Sequence, residues 1–257
     1  MPTTALYTNT NVNKQNFLIP VVILVIALLV GVGTRSGVQK LSAPPEVPIV
    51  KIEVANADKP ENEFVTITLE ESAGGPLMLT GLALLQDHLL VPIEKSVKKF
   101  VRGNISSARA VVVETFPTTI IVNSGRSPAG VSFRVNRCSG FLEEFQNFYP
   151  SLVTDCPNIN TLLERQSIAV SKECRDYFER TPSCTSLPDD VPTQCSYLLI
   201  EHIGYNQCVD AIENDTDFYK NEWRLFLESP KTLWATTSPI ELINPSTTIR
   251  DQALDTK

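Results

Sequence analysis

Between residues 49 and 135 apolar residues recur at every second position. Residues 49–56 (IVKIEVAN) alternate, 64–70 (FVTITLE) alternate again, and short β-branched runs follow at 110–113, 119–122 and 131–135, divided by Gly, Pro, Asn and Ser. A period of two predicts strands whose inward faces pair into a sandwich core. Asp58-Lys59-Pro60-Glu61-Asn62 predicts the first turn and Gly74-Gly75-Pro76 the second. From Asn136 to about Ser229 the spacing becomes helical. Ile159, Leu162 and Leu163 with Val170 start one amphipathic pattern, and Leu198, Leu199 and Ile203 form another that stops at Gly204. Phe218, Trp223, Phe226 and Leu227 predict a third helix, and Asn206 and Asp217 are each expected to cap a helix that begins after it. Strand texture returns at 240–243, and the turn Asn244-Pro245-Ser246 followed by 247–250 predicts a closing hairpin. The expected fold is mainly β with an α insertion: a β-sandwich over 49–135 plus 238–252, and a helical insertion over 136–230. Two domains in series would leave the last hairpin without a sheet.

Ahead of the strands, residues 17–33 (FLIPVVILVIALLVGVG) form an uninterrupted apolar run. At about 1.5 Å per residue it spans ~25 Å, slightly short of a ~30 Å hydrocarbon core, so residues 34–38 complete a transmembrane helix over 17–38. Pro20 falls in the first turn, where a missing N–H costs little. A cleaved secretory signal is the competing reading, because Lys14 and the amino terminus are the only positive charges ahead of the run and Gly31-Val32-Gly33 has the small residues of a cleavage site. The run exceeds the usual 7–15-residue apolar region of a signal, which favours the anchor. Arg35 and Lys40 outvote Lys14, so Lys/Arg counting does not orient the chain. Residues 1–16 are then a short cytoplasmic tail, and 39–48, with the Pro-rich SAPPEVP, a stiff stalk.

Cysteine usage supplies the orientation. Cys138, Cys156, Cys174, Cys184, Cys195 and Cys208 all fall in the helical region, without C-x-x-C spacing, and His88 and His202 are the only histidines. Three disulfides fit best, with reduced thiols and a metal site as alternatives, and six cysteines allow 15 pairings. Disulfides place the carboxyl-terminal domain outside the cytoplasm, so the expected localisation is single-pass membrane with that domain extracytoplasmic. The chain is 42% hydrophobic with net charge −7 and lacks a Lys/Arg stripe, which argues against a nucleic-acid partner. Its densest basic patch, residues 97–102 (VKKFVR), is expected on a solvated strand edge or loop.

Several of these elements carry a family likeness. Glu63-Phe64-Val65-Thr66-Ile67, Leu79-Thr80-Gly81-Leu82-Ala83-Leu84, the strand TIIVNSG at 119–125 and the segment 240–244 resemble, in that order, motifs of the lamin-tail domain. That domain is an immunoglobulin-like β-sandwich of nuclear lamins and many bacterial envelope proteins. The likeness covers about 48–135 and 239–252. Leu82 stands where the family carries Trp, and Phe116-Pro117 replaces its Pro-Gly turn. The cysteine-bearing stretch has no counterpart in the lamin domain, although it resembles insertions in membrane-anchored bacterial proteins. The resemblance implies a non-catalytic binding or structural module.

Candidate chemistry is sparse. Gly125-Arg126-Ser127-Pro128-Ala129-Gly130 approaches nucleophile-elbow spacing but opens onto a strand. Glu201-His202 lacks the second histidine of a zinc protease, Asn214, Asp215 and Asp217 lack the rest of a calcium loop, and Asp189-Asp190 sits in a Pro-flanked loop. Asn104-Ile105-Ser106 and Asn214-Asp215-Thr216 fit the glycosylation acceptor pattern. No cofactor or metal is expected. Phe145, Phe148, Tyr149, Tyr205, Trp223 and Trp234 concentrate aromatics; core packing is their default role, with Tyr149, Tyr205, Trp223 and Trp234 the candidates for a binding surface. The expected function is a membrane-anchored envelope module that binds a protein or an envelope polymer. The rival is an envelope enzyme or enzyme subunit of hydrolase type, with a site at the junction of sandwich and insertion. A buried carboxylate pair or a His–carboxylate contact in a cleft would favour that rival.

Overall fold

Alternation of apolar and polar residues builds the strands where it is cleanest. In a computed structural model that describes residues 50–246 apart from 56, 71–74, 104–106 and 236–237, FVTITL forms strand β2 (Phe64–Leu69) and buries Val65, Ile67 and Leu69 completely. It pairs antiparallel with β1 (Val50–Ala55) on one side and β7 (Thr118–Asn123) on the other, with Ile67 opposite both Ile52 and Ile120. These residues all lie in the second of the chain's two units, Pro45–Lys257. The predicted tail, anchor and stalk and the last predicted strand, 247–250, lie outside the described residues. Among the described residues no helix is long and apolar enough to cross a membrane.

The remaining strands are β3 (Leu77–Met78), β4 (Ala83–Gln86), β5 (Leu89–Pro92), β6 (Val112–Val113), β8 (Phe133–Asn136), β9 (Tyr219–Phe226) and β10 (Glu241–Ile243). They form a five-stranded sheet ordered β1-β2-β7-β9-β8, a three-stranded sheet β10-β4-β5 and the pair β3-β6. Val65, Ile120, Val122 and Leu225 of the large sheet share one core with Leu84, Val91 and Val113 of the smaller ones, which makes the architecture mainly β in two packed layers.

The third predicted helix is a strand. Residues 219–226 run as β9, parallel to β7 and antiparallel to β8, with Trp223 opposite Ile120 and Arg134. The apolar spacing misleads because β9 lies between two strands and is covered on both faces: Trp223 and Leu225 enter the sandwich core, while Arg224 and Phe226 face the helical side. A strand buried on both sides loses the period of two. Asp217 caps no helix; its carboxylate takes the Arg137 guanidinium at 3.0 Å. Nor does Asn206 act as a cap, since its side chain pairs with the Arg102 backbone, accepting from N–H and donating to the carbonyl, each at 2.9 Å.

The helical segment occupies 137–218, between two sheet neighbours joined in register at Asn136 and Tyr219. Its helices are α1 (Gly140–Glu143), α2 (Ile159–Arg165), α3 (Lys172–Phe178), α4 (Thr193–His202) and α5 (Tyr205–Ile212). The Asn158 side chain caps α2 and Ser171 caps α3, as short polar residues at N-caps do. Helices of this length are marginal alone. Three disulfides hold them: Cys138–Cys208, Cys156–Cys184 and Cys174–Cys195. The first closes the base of the segment beside β8, and the other two cross in sequence, so residues 174–184 belong to both rings. Phe133, Val135, Leu162, Phe178, Leu199 and Val209 fill the core between these helices and the sheet.

Candidate binding groove

Of the four aromatics that sequence marks as a possible binding surface, three are core residues. Trp223 is 3% exposed, Tyr205 4% and Trp234 5%, whereas Tyr149 is 42% exposed. Trp223 is fixed by the inward face of β9. Trp234 is fixed by the segment after it, whose backbone is latched to the buried Glu63 carboxylate: Leu233 N–H donates to Oε2 at 2.6 Å and Trp234 N–H to Oε1 at 3.2 Å. The Tyr205 hydroxyl donates to the Phe100 carbonyl and accepts from Asn136 Nδ2, both at 3.0 Å, and burial pushes its phenol well above the usual value. These rings stabilise the domain.

Tyr149 stands at a groove where three stretches meet. The β1–β2 turn brings Lys59, Glu61 and Asn62, the β7–β8 loop brings Arg126, Ser127 and Pro128, and the helical segment brings Asn147 and Tyr149, with Phe226 at the end of β9. The groove encloses about 520 Å³ and is open to solvent.

Its walls are set by local sequence. Gly125 donates its N–H to Pro60 O at 2.8 Å, and a Cβ there would lie 2.6 Å from Glu61 Cα, so only glycine lets the two loops close on each other. Ser127 N–H donates to Glu228 Oε1 at 3.1 Å, while its hydroxyl donates to Val131 O at 2.7 Å and accepts Val131 N–H. On the opposite wall Asn123 Nδ2 donates to Tyr149 O. The Arg224 guanidinium, 1% exposed, donates to the carbonyls of Pro150 and Ser151 and pairs with Glu222. Neighbouring chain on both walls is therefore tied to the sheet.

The charge in the groove is unbalanced. No described residue forms an ion pair with Lys59 or Arg126, and Glu61 is the one carboxylate in the lining. The 97–102 patch is different. It lines a second groove of about 590 Å³ with Arg109, Glu213 and Tyr219, but Lys98 pairs with Glu114 at 3.2 Å and Lys99 with Glu213 at 2.6 Å, the latter bond raising the lysine's pKa. Behind it the largely buried Arg134 lies 4.9 Å from the Tyr219 ring, and burial lowers its pKa.

The other marked positions have ordinary partners. Asp215 pairs with Arg165 at 3.2 Å, Asp217 with Arg137, and Glu201 lies 3.8 Å from His202 at the surface. Asp189 offers its carbonyl to the Tyr177 hydroxyl. Among the described residues Glu63 is the one buried acidic side chain, and it is bound by hydroxyl and backbone donors. Among the described residues no three His, Cys, Asp or Glu side chains cluster as metal ligands. Sequence reasoning passed over Lys59, Glu61, Arg126 and Asn147 as groove residues; the only signal was that the two turns bearing the first three are polar and Gly/Pro-marked. Comparison of the chain with protein-family models, with curated proteins and with solved structures finds no match.

Proposed function

We propose that this chain is a single-pass membrane protein of the cell envelope whose extracytoplasmic domain, an immunoglobulin-like sandwich of lamin-tail type bearing a cysteine-rich helical segment, binds another envelope component without catalysis. The observation that carries the reading is the pairing of all six cysteines in buried disulfides, a state that persists outside the reducing cytoplasm. The apolar run at 17–33 supplies the tether. Of the stretches that resemble lamin-tail motifs, residues 64–67, 83–84, 119–123 and 241–243 lie in β2, β4, β7 and β10, strands of the two packed layers. The groove at Tyr149 supplies a surface with uncompensated charge, the kind of feature that recognises a partner.

Topology is the test. Intact cells expressing the full chain are treated with a membrane-impermeant amine reagent, and labelled lysines are mapped by mass spectrometry. Labelling of exposed Lys59 and Lys172 with Lys14 protected is the expected result; labelling of Lys14 alone would reverse the orientation and remove the basis for an envelope role.

A further inference from the structure

We infer that the groove around Lys59 and Arg126 binds an acidic saccharide, a sugar ring bearing a carboxylate. This inference rests on the binding-module reading. Two cations from distant stretches line it against one carboxylate, Glu61, and neither forms an ion pair, in a chain whose net charge is −7; an unpaired guanidinium is the side chain best shaped to take a carboxylate through two parallel hydrogen bonds. The remaining lining is what a polyhydroxylated ring requires. The Asn62 and Asn147 amides both donate and accept, the Glu61 carboxylate accepts from hydroxyls, and the half-exposed Tyr149 ring offers one apolar face.

An extended acidic peptide fits less well. Peptides that lack a deep pocket gain affinity by adding a strand to a free sheet edge. At this rim three successive loop donors are already committed: Ser124 N–H to Glu63 O, Gly125 N–H to Pro60 O and, past Arg126, Ser127 N–H to Glu228 Oε1. That leaves side chains as the main recognition groups. Because Gly125, Asn123 and Arg224 fix the neighbouring backbone before any ligand arrives, little ordering cost opposes binding.

The test uses the full chain in detergent micelles, titrated calorimetrically with oligogalacturonate, with a neutral dextran oligosaccharide and with poly-glutamate. Oligogalacturonate is expected to bind, more weakly as salt rises, and the double variant Lys59→Gln/Arg126→Gln is expected to lose about tenfold or more in affinity with an unchanged melting curve. Arg126→Lys, which keeps charge and loses the planar fork, should fall between the two. Equal affinity of wild type and double variant, binding of dextran as tight as of oligogalacturonate, or tighter binding of poly-glutamate overturns the assignment. Retention of the wild-type chain, kept in detergent, on cell envelopes stripped of lipid by detergent separates the two levels. Retention without oligogalacturonate binding sinks the saccharide inference alone, whereas absence of retention sinks the binding-module reading beneath it.

Discussion

Replacing Glu63 by Gln tests whether a single buried carboxylate locks the sandwich and the wall of the groove together. Glu63 is 1% exposed and directly follows the turn that carries Glu61 and Asn62. Its Oε2 accepts the Ser124 hydroxyl at 2.5 Å and Leu233 N–H at 2.6 Å, and its Oε1 accepts Trp234 N–H at 3.2 Å. Glutamine keeps the volume but turns one acceptor into an –NH₂ group facing a donor. Whichever oxygen is lost, at least one buried N–H or O–H loses its acceptor, at about 1–3 kcal/mol, and the surviving bonds fall from charge-assisted to neutral strength, at about 1 kcal/mol each. Relief of a buried charge returns part of this. The net cost is about 2–4 kcal/mol, which for a domain of this size lowers Tm by roughly 10 °C. Thermal melting followed by circular dichroism measures it, and limited proteolysis should show new cleavage near Leu233. A variant that melts within about 2 °C of wild type, with the same cleavage pattern, would refute the latch.

Removing the outer bridge with Cys138→Ser/Cys208→Ser should cost about 4 kcal/mol in denaturant unfolding, since its residues are 70 apart in sequence; the inner bridges, spanning 28 and 21, should each cost about 3.5 kcal/mol. Gly125→Ala forces the two loops apart and should destabilise by about 1–3 kcal/mol, while widening the groove enough to abolish oligogalacturonate binding measured by calorimetry. Burial raises the folded-state pKa of Tyr205, so its contribution is complete below about pH 10 and is lost above it as the unfolded chain deprotonates, by about 1.4 kcal/mol per pH unit. Tyr205→Phe should flatten that alkaline limb of the stability curve while costing about 1–2 kcal/mol at neutral pH through the Phe100 and Asn136 hydrogen bonds.

Strands with clean alternation or a β-branched run were legible in sequence. The alternation at 64–69 became β2 with its three inward residues fully buried, and the runs at 50–55 and 119–122 became its two neighbours. Legibility ended at β9, which is covered on both sides and lacks the β-branched run that marks β7 and β8. In β9, Arg224 is as buried as Trp223, because its guanidinium is satisfied by the carbonyls of Pro150 and Ser151, and no period-two rule anticipates a buried arginine. The presence of disulfides followed from cysteine count and clustering, but their pairing depends on which helices the sheet brings together at Asn136 and Tyr219. The groove was hidden for a similar reason. Lys59 and Arg126 belong to separate turns that meet only because Gly125 has no side chain.

The most direct test of an oxidised, extracytoplasmic domain is a thiol count on the full chain taken from its native membrane. The denatured protein is alkylated before and after reduction, weighed intact, and its bridged peptides are mapped. The expected result is no alkylation before reduction, six alkylated thiols after it, and bridged peptides joining Cys138 to Cys208, Cys156 to Cys184 and Cys174 to Cys195. Free thiols before reduction would contradict it, and with it the placement of the domain outside the cytoplasm.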